Sequence, residues 1–524
     1  MRFCINKTLS TNVISCLQRI FTRPSPIFVG VVLLLWLAGV IFTLTNHEFW
    51  RDEVRALSIA RKAILPIDFY ELLRNEGHPF LWYLLLYIGK SMADTPLVLP
   101  IMSVMISFAS VVIFIFFAPF PFLVRVLFIF SLPFYEYSVI ARNYGISVLL
   151  LFVCAAIYRN RLKYPFLLAF ILALLANTNI HSAILTCSIS FLWIWDFFTE
   201  NRDLSVKEKF LSLCLPISIV LAGVLLCIII VTPSKDIVAT DIYSVKAHDV
   251  IISFISALLR PGQSFSSIVQ VYIPYFVVSF LLYLCILGLL PRPNICLSAI
   301  TCQIAFCMFF DIVYYGSYRH QGLFLVYIIF LYWLYLESSG KEFISKIKRL
   351  LFYMGYTAMI ILILLNLPKA TKSMWDDIYM ERSSSREFGR FLSSSEAYRN
   401  AIIISEPDYL IESLPYYVTN KIYIPREHHF STTATWTTKS DYNLSLGRLL
   451  STALDIRAHY GRPVLIVLGH REVDNNRSGE KKYPIKKVFK WDDDDIENFK
   501  RLTILVAEFK NALSDENYKV FAIR

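Results

Sequence analysis

Long apolar runs recur along this chain from residue 27 to residue 367, and no other feature constrains its fold as strongly. In hydrocarbon every backbone amide and carbonyl must be satisfied within its own segment, so runs of this kind can only be helices. Runs long enough to cross a bilayer, or nearly so, fall at 27–46, 96–118, 120–137, 144–158, 165–181, 182–198, 211–232, 267–290, 295–315, 321–337 and 349–367. They predict a polytopic α-helical membrane protein of about eleven transmembrane helices. Composition agrees: 56% of the 524 residues are hydrophobic, 17% are charged, and the mean hydropathy is +0.54, which excludes a soluble globule.

A net charge of +11 would suit nucleic acid, but the basic residues lie in short clusters between apolar runs, where they act as orientation signals. No nucleic-acid partner is expected. Residues 1–26 carry Arg2, Lys7, Arg19 and Arg23 before a run without a small-residue cleavage site, and read as a retained cytoplasmic segment. With the N-terminus inside, the connections bearing Arg125, Arg159 to Lys163, Arg202 with Lys207 and Lys209, Arg292, and Lys341 to Arg349 all fall on the cytoplasmic side. The opposite side receives 47–95, the turn from Glu136 to Tyr144, 177–182, the loop 233–266, the turn from Tyr314 to Gln321, and everything after about 368. No cysteine follows Cys307, so no disulfide framework is implied for an aqueous domain.

Three segments follow: a cytoplasmic stretch 1–26, a transmembrane module 27–368 whose first outer loop 47–95 contains interfacial helices, and a C-terminal extracytoplasmic α/β domain over 369–524. In the last, 401–404, 421–424, 464–468 and 518–523 read as buried strands, with helical patterns near 383–397, 445–460 and 495–513. Asp492 to Asp495 reads as a helix start. Within the first outer loop, Pro79 is expected to open a helix that carries Trp82 and Tyr83 to headgroup depth.

The chemistry concentrates in His47-Glu48-Phe49-Trp50-Arg51-Asp52-Glu53-Val54-Arg55, directly after the first span. Asp52 is the candidate general base, with Glu53 orienting it or the substrate, since adjacent helical residues point about 100° apart. The plain structural alternative pairs one acid with Arg51 or Arg55 and leaves the other solvated. His78, after Gly77 in Glu76-Gly77-His78-Pro79, is a candidate substrate contact or a simple helix-start residue. Arg142 and Tyr144, at another outer span end, form either a phosphate grip or an interfacial anchor. Asn177 to His181 is read as interhelical hydrogen bonding or as polar lining that includes His181. Arg319 and His320, between aromatic residues, suit a phosphate clamp. Lys235, Asp236, Asp241 and His248 could contribute a lid. His428 and His429 lack a metal-ligand spacing. No metal set stands out, and a divalent cation is the one cofactor left open.

The membrane half resembles the glycosyltransferase C superfamily, in layout the protein O-mannosyltransferase and lipid A aminoarabinose transferase group. The resemblance rests on Trp50-Arg51-Asp52-Glu53 after the first span, His78-Pro79 followed by Trp82-Tyr83, and Arg142-Asn143-Tyr144-Gly145 at a span start. The sequence lacks the second Pro of the family's His-Pro-Pro element. What the resemblance implies is a GT-C-like transferase using a polyprenyl-phosphate-linked sugar donor and a glycan, lipid or protein acceptor. Asp52 and Glu53 would be its catalytic residues, and Arg51, His78, Tyr83, Arg142, Tyr144, His181, Arg319 and His320 its substrate and phosphate contacts. A bacterial inner membrane, with the C-terminal domain periplasmic, would suit it. The competing class is a transporter of a lipid-linked glycan or another anion. That class calls for ionisable residues at mid-span, where only Asp311 stands out.

Overall fold

The computed structural model describes residues 24–200, 205–234, 247–269, 273–338, 345–435, 437–470, 478–483 and 487–524. The basic leader residues Arg2, Lys7, Arg19 and Arg23, together with Arg202, Lys235, Asp236, Asp241 and Lys341, lie outside them.

Among the described residues, seven helices are long and apolar enough to cross a membrane: Pro26–Asn46, Val98–Phe117, Ile180–Thr199, Val206–Val231, Pro293–Ile312, Tyr318–Ser338 and Lys346–Tyr379. Four shorter apolar helices cover Tyr144–Tyr158, Pro165–Ala176, His248–Leu259 and Tyr275–Leu287. The chain is a multi-pass membrane protein with a small α/β region toward its C-terminus. The stretch 120–137, expected as one span, instead forms two short helices, Phe122–Ile129 and Leu132–Tyr135. Pro133 has no amide to continue the first and sits at the start of the second. Eight residues rise only about 12 Å. The loop expected over 233–266 contains the apolar helix Ala247–Leu259. Asp311, expected at mid-span, is the last residue but one of Pro293–Ile312.

Contacts divide the chain into two compact units. The first comprises the described parts of Met1–Thr43, Ser103–Ile229 and Val245–Met374. It buries Trp36, Trp193 and Trp333 completely, and the Trp36 indole donates to the Ile129 carbonyl at 2.8 Å. Two of its helices approach backbone to backbone, since a Cβ on Gly288 would stand 2.7 Å from the Gly355 Cα. Small residues at crossings allow this packing where lipid offers no hydrophobic drive.

The second unit comprises the described parts of Leu44–Met102, Ile230–Ser244 and Trp375–Arg524. Its centre is a six-stranded sheet. We number the strands β1 Ile402–Glu406, β2 Ile422–Ile424, β3 His429–Phe430, β4 Asn443–Ser445, β5 Val464–Gly469, β6 Gly479–Lys482, β7 Val488–Trp491, β8 Thr503–Phe509 and β9 Tyr518–Ile523. The sheet order is β3-β2-β1-β5-β9-β8, with β1 parallel to β2 and β5 and the remaining pairs antiparallel. Strands β4, β7 and β6 form a second small sheet.

Strands β1 and β5 are buried along their whole length, as covered central strands must be. Their side chains alternate between two cores. Ile403 and Leu465 pack with Phe388 and Leu392 of helix Ser385–Ser394, whereas Ile402, Ile404 and Ile466 pack with Leu449, Ala453 and Ile456 of helix Leu446–Tyr460. The helical pattern expected over 495–513 is helix only through Leu502. Thr503, Ile504, Leu505 and Val506 then form β8, where β-branched residues pair with β9 across a bulge between Leu505 and Ala507. Asp492 caps the helix Asp493–Leu502, its side chain accepting from the Asp495 amide at 2.7 Å. Helix Leu81–Met92 begins two residues after Pro79 and packs on helix Arg51–Lys62. Trp82 and Tyr83, expected as headgroup anchors, are buried in that packing.

Helix Leu446–Tyr460 ends at Gly461, whose φ is 61° and whose amide donates to the Arg457 carbonyl at 3.0 Å. A Cβ there would touch nothing, so Gly461→Ala is expected to cost only the left-handed backbone, about 1 kcal/mol. Thermal unfolding of the purified protein checks this.

Candidate functional site

Helix Arg51–Lys62 starts directly after the extended Trp50, and Glu53 at its third position turns back to accept from the Trp50 amide at 3.4 Å. Glu53 is fully buried. Its Oε2 lies 3.0 Å from His47 Nε2, and the opposite ring nitrogen, Nδ1, lies 2.6 Å from Asp377 Oδ2 in the last turn of Lys346–Tyr379. Carboxylates only accept, so both ring nitrogens must donate and His47 is an imidazolium. Burial alone would push this imidazole down, but the Glu53 charge, hydrogen bonds to Asp377 and Glu53, and the Asp377 charge outweigh it and raise it to about 9. Asp377 Oδ1 in turn holds Arg382 Nε at 2.5 Å, and that guanidinium lies over the Trp50 ring, 5.3 Å from its centroid. The result is an alternating chain, Glu53, His47, Asp377, Arg382, of zero net charge.

The neighbouring residues are held as firmly. The Arg51 amide, an orphan donor at a helix start, donates to Glu516 Oε1 at 2.8 Å, and the Arg51 guanidinium pairs with Asp515 at 2.7 Å and lies over the Tyr409 ring. Glu516 also accepts from the hydroxyls of Ser383 and Ser413. Burial raises Glu516 to about 7, against the opposing pull of the Ser383 hydroxyl, the Arg51 amide and charge, and Ser413. Arg55 grips Glu76 in bidentate fashion, at 2.8 and 2.5 Å, and Glu412 at 2.5 Å. The sequence reading offered Arg51 or Arg55 as the acid's ion partner; Glu53 takes His47 instead.

Asp52, one position before Glu53, is exposed. His78 is half-buried in a turn that needs left-handed backbone at Asn75, φ 71°, and at Gly77, φ 69°. Tyr83 is buried and packs near Phe69.

In the first unit Arg319 pairs with Glu136 at 2.9 Å, and the Tyr137 hydroxyl donates to the Arg319 carbonyl. His320 stacks on His181 with ring centroids 4.6 Å apart and planes 18° from parallel, and Tyr144 meets its edge at 5.4 Å. The Ser317 amide donates to His320 Nδ1 at 2.9 Å, which places the ring proton of the neutral form on Nε2. The Arg142 guanidinium lies 6.0 Å from the Tyr144 ring centroid. Asn177 donates to the Ala173 and Gly223 carbonyls, and Asn179 to the Ser147 hydroxyl, so these two serve helix packing. The clusters around Asp52 and around His320 belong to separate compact units.

The sequence reading missed His47, Asp377, Arg382 and Glu516. Only His47 left a signal, as the first residue of the charged nonapeptide. Asp377 is 330 positions away from it, and nothing local marks it as its partner. Among the described residues no group of three or more His, Cys, Asp or Glu is arranged to hold a metal ion, and the eight described cysteines are free.

Both titrating groups are raised, so both stabilise the fold at low pH and lose that effect as pH rises. Glu516 contributes fully below its ordinary 4.5 and is lost through about 7; His47 contributes fully below 6.5 and is lost through about 9. Melting temperature in detergent should therefore fall in two windows, with Glu516→Gln flattening the lower and His47→Gln the upper. His47→Ala, which removes the cation between two buried carboxylates, should cost about 3–5 kcal/mol at pH 7.

Comparison with protein-family models, with curated proteins and with solved structures finds no match to this chain.

Proposed function

We propose that this chain is an integral membrane glycosyltransferase that moves a sugar from a polyprenyl-phosphate donor to an acceptor hydroxyl, with Asp52 as general base. The observation that carries the reading is the division within the acidic pair. Glu53 is fully buried against His47 and the Trp50 amide, while Asp52 beside it is exposed. A general base must be reachable by the incoming hydroxyl. A rigid neighbour then fixes the helix turn that presents it, which is the positioning role read for Glu53.

In the proposed step Asp52 takes the hydroxyl proton as the acceptor oxygen bonds to the anomeric carbon. The bond from that carbon to the phosphate oxygen breaks on the opposite face, and its electron pair leaves with the phosphate, giving inversion. Phosphate is a weak base, so the step requires no general acid; cations that meet the leaving charge matter more. With a cytoplasmic N-terminus, the α/β region is proposed to lie on the outer face of a bacterial inner membrane.

The test is mass spectrometry of membrane glycolipids and envelope polysaccharide from cells lacking the gene and cells restored with wild type or with Asp52→Asn. One glycan should lose a single sugar in the deletion and regain it with wild type. Asp52→Asn should restore it about 10²-fold less or worse, with unchanged protein level and melting. Full restoration by Asp52→Asn would remove the base assignment, and accumulation of complete unmodified lipid-linked glycans would mark a transporter.

A further inference from the structure

The second unit holds a cleft of about 610 Å³ lined by Tyr423, His428, His429, Phe430, Asp455, Ile456, His459 and Tyr460. We propose that this cleft binds a saccharide, at a site separate from the acidic pair and independent of the transferase reading.

The lining comes from two elements of the sheet edge. Tyr423 and Phe430 are cross-strand partners on β2 and the edge strand β3, and the helix Leu446–Tyr460 brings Asp455, His459 and Tyr460. Tyr423 and Tyr460 both stand nearly perpendicular to Phe430, at 78° and 88°, with ring centroids 5.2 and 5.4 Å from it. These are edge-to-face contacts, which lock the rings without rotamer freedom to lose on binding. Tyr460 nevertheless remains 45% exposed. An aromatic surface that is both fixed and open to water suits the C–H face of a sugar ring.

Hydrogen-bonding groups rim the same surface. The turn between β2 and β3 places His428 in left-handed backbone, φ 57°, a conformation uncommon for any residue with a Cβ though His tolerates it better than most. Strain of this kind, of order 1 kcal/mol or more, collects at ligand sites. It is held there by the bond of His428 Nε2 to Asp441 Oδ2 at 3.0 Å. The carboxylate of Asp455 and the imidazoles of His428, His429 and His459 offer acceptors and donors for hydroxyls.

Other ligand classes fit less well. Among the described residues that line the cleft none is Lys or Arg, so a phosphate would find only imidazoles on its walls. A quaternary ammonium needs a gap between aromatic faces, whereas these rings touch one another and Lys421 already lies over Phe430 at 5.8 Å.

The test is calorimetric titration of the full-length protein in lipid nanodiscs with cellohexaose, mannohexaose and chitohexaose, and with choline chloride as the cation probe. At least one hexaose should bind saturably. Tyr460→Ala should weaken it by up to about tenfold, and Asp455→Asn, which should leave the melting temperature unchanged, should weaken it several-fold. Asp52→Asn should bind the hexaose as wild type does, which separates this site from the proposed catalytic one. Failure of all three hexaoses to bind, binding unaffected by both cleft variants, or saturable binding of choline instead would overturn the proposal.

Discussion

A single buried imidazolium holds together the start of helix Arg51–Lys62 and the end of Lys346–Tyr379. His47 lies between Glu53 and Asp377, with none of the three side chains reaching solvent. Burying charge is costly unless it is paired, and breaking one member of a buried set leaves the others uncompensated. The set joins the start of helix Arg51–Lys62 to the last turn of Lys346–Tyr379, and through Arg382 to the segment that leads into the α/β sheet. Glu516 makes a second tie, from the Arg51 amide to the loop between β8 and β9.

The same device recurs within the α/β region. Arg426 is fully buried and donates to both Glu406 oxygens and to the carbonyls of Asp441, Tyr442 and Val488. Lys487 pairs with Asp408 at 2.8 Å, again away from solvent. These pairs join the ends of β1 and β2 to β4 and β7 of the small sheet. Their geometry is specific, so they select one arrangement of strands and turns rather than merely adding attraction. The Tyr423, Phe430 and Tyr460 corner lies in this region, and its rigidity follows from the same fixed turn.

For function, the consequence lies in the contrast between adjacent acids. Asp52 and Glu53 are chemically alike, yet the helix turns one toward solvent and the other into a charged interior. In the first unit, Arg319 with Glu136 and His320 with His181 show the same economy of fixed partners around a basic group.

Much of this was legible in the sequence. Apolar runs dictate membrane helices because hydrocarbon leaves the backbone no other partner, and strands β1, β2, β5 and β9 follow from short β-branched runs. The cap at Asp492 follows from its local acids. The charged nonapeptide after the first span marked where buried ion pairs would form. The failures have physical causes. Periodicity does not register that Pro133 divides an apolar run, and it cannot tell β8 from the end of a helix, because only pairing with β9 decides the matter. Above all, the sequence could show that Asp52 and Glu53 point different ways but not which one is buried. That depended on His47 and Asp377, 330 positions apart, meeting in one interior, and long-range electrostatic pairing is set by the tertiary fold alone.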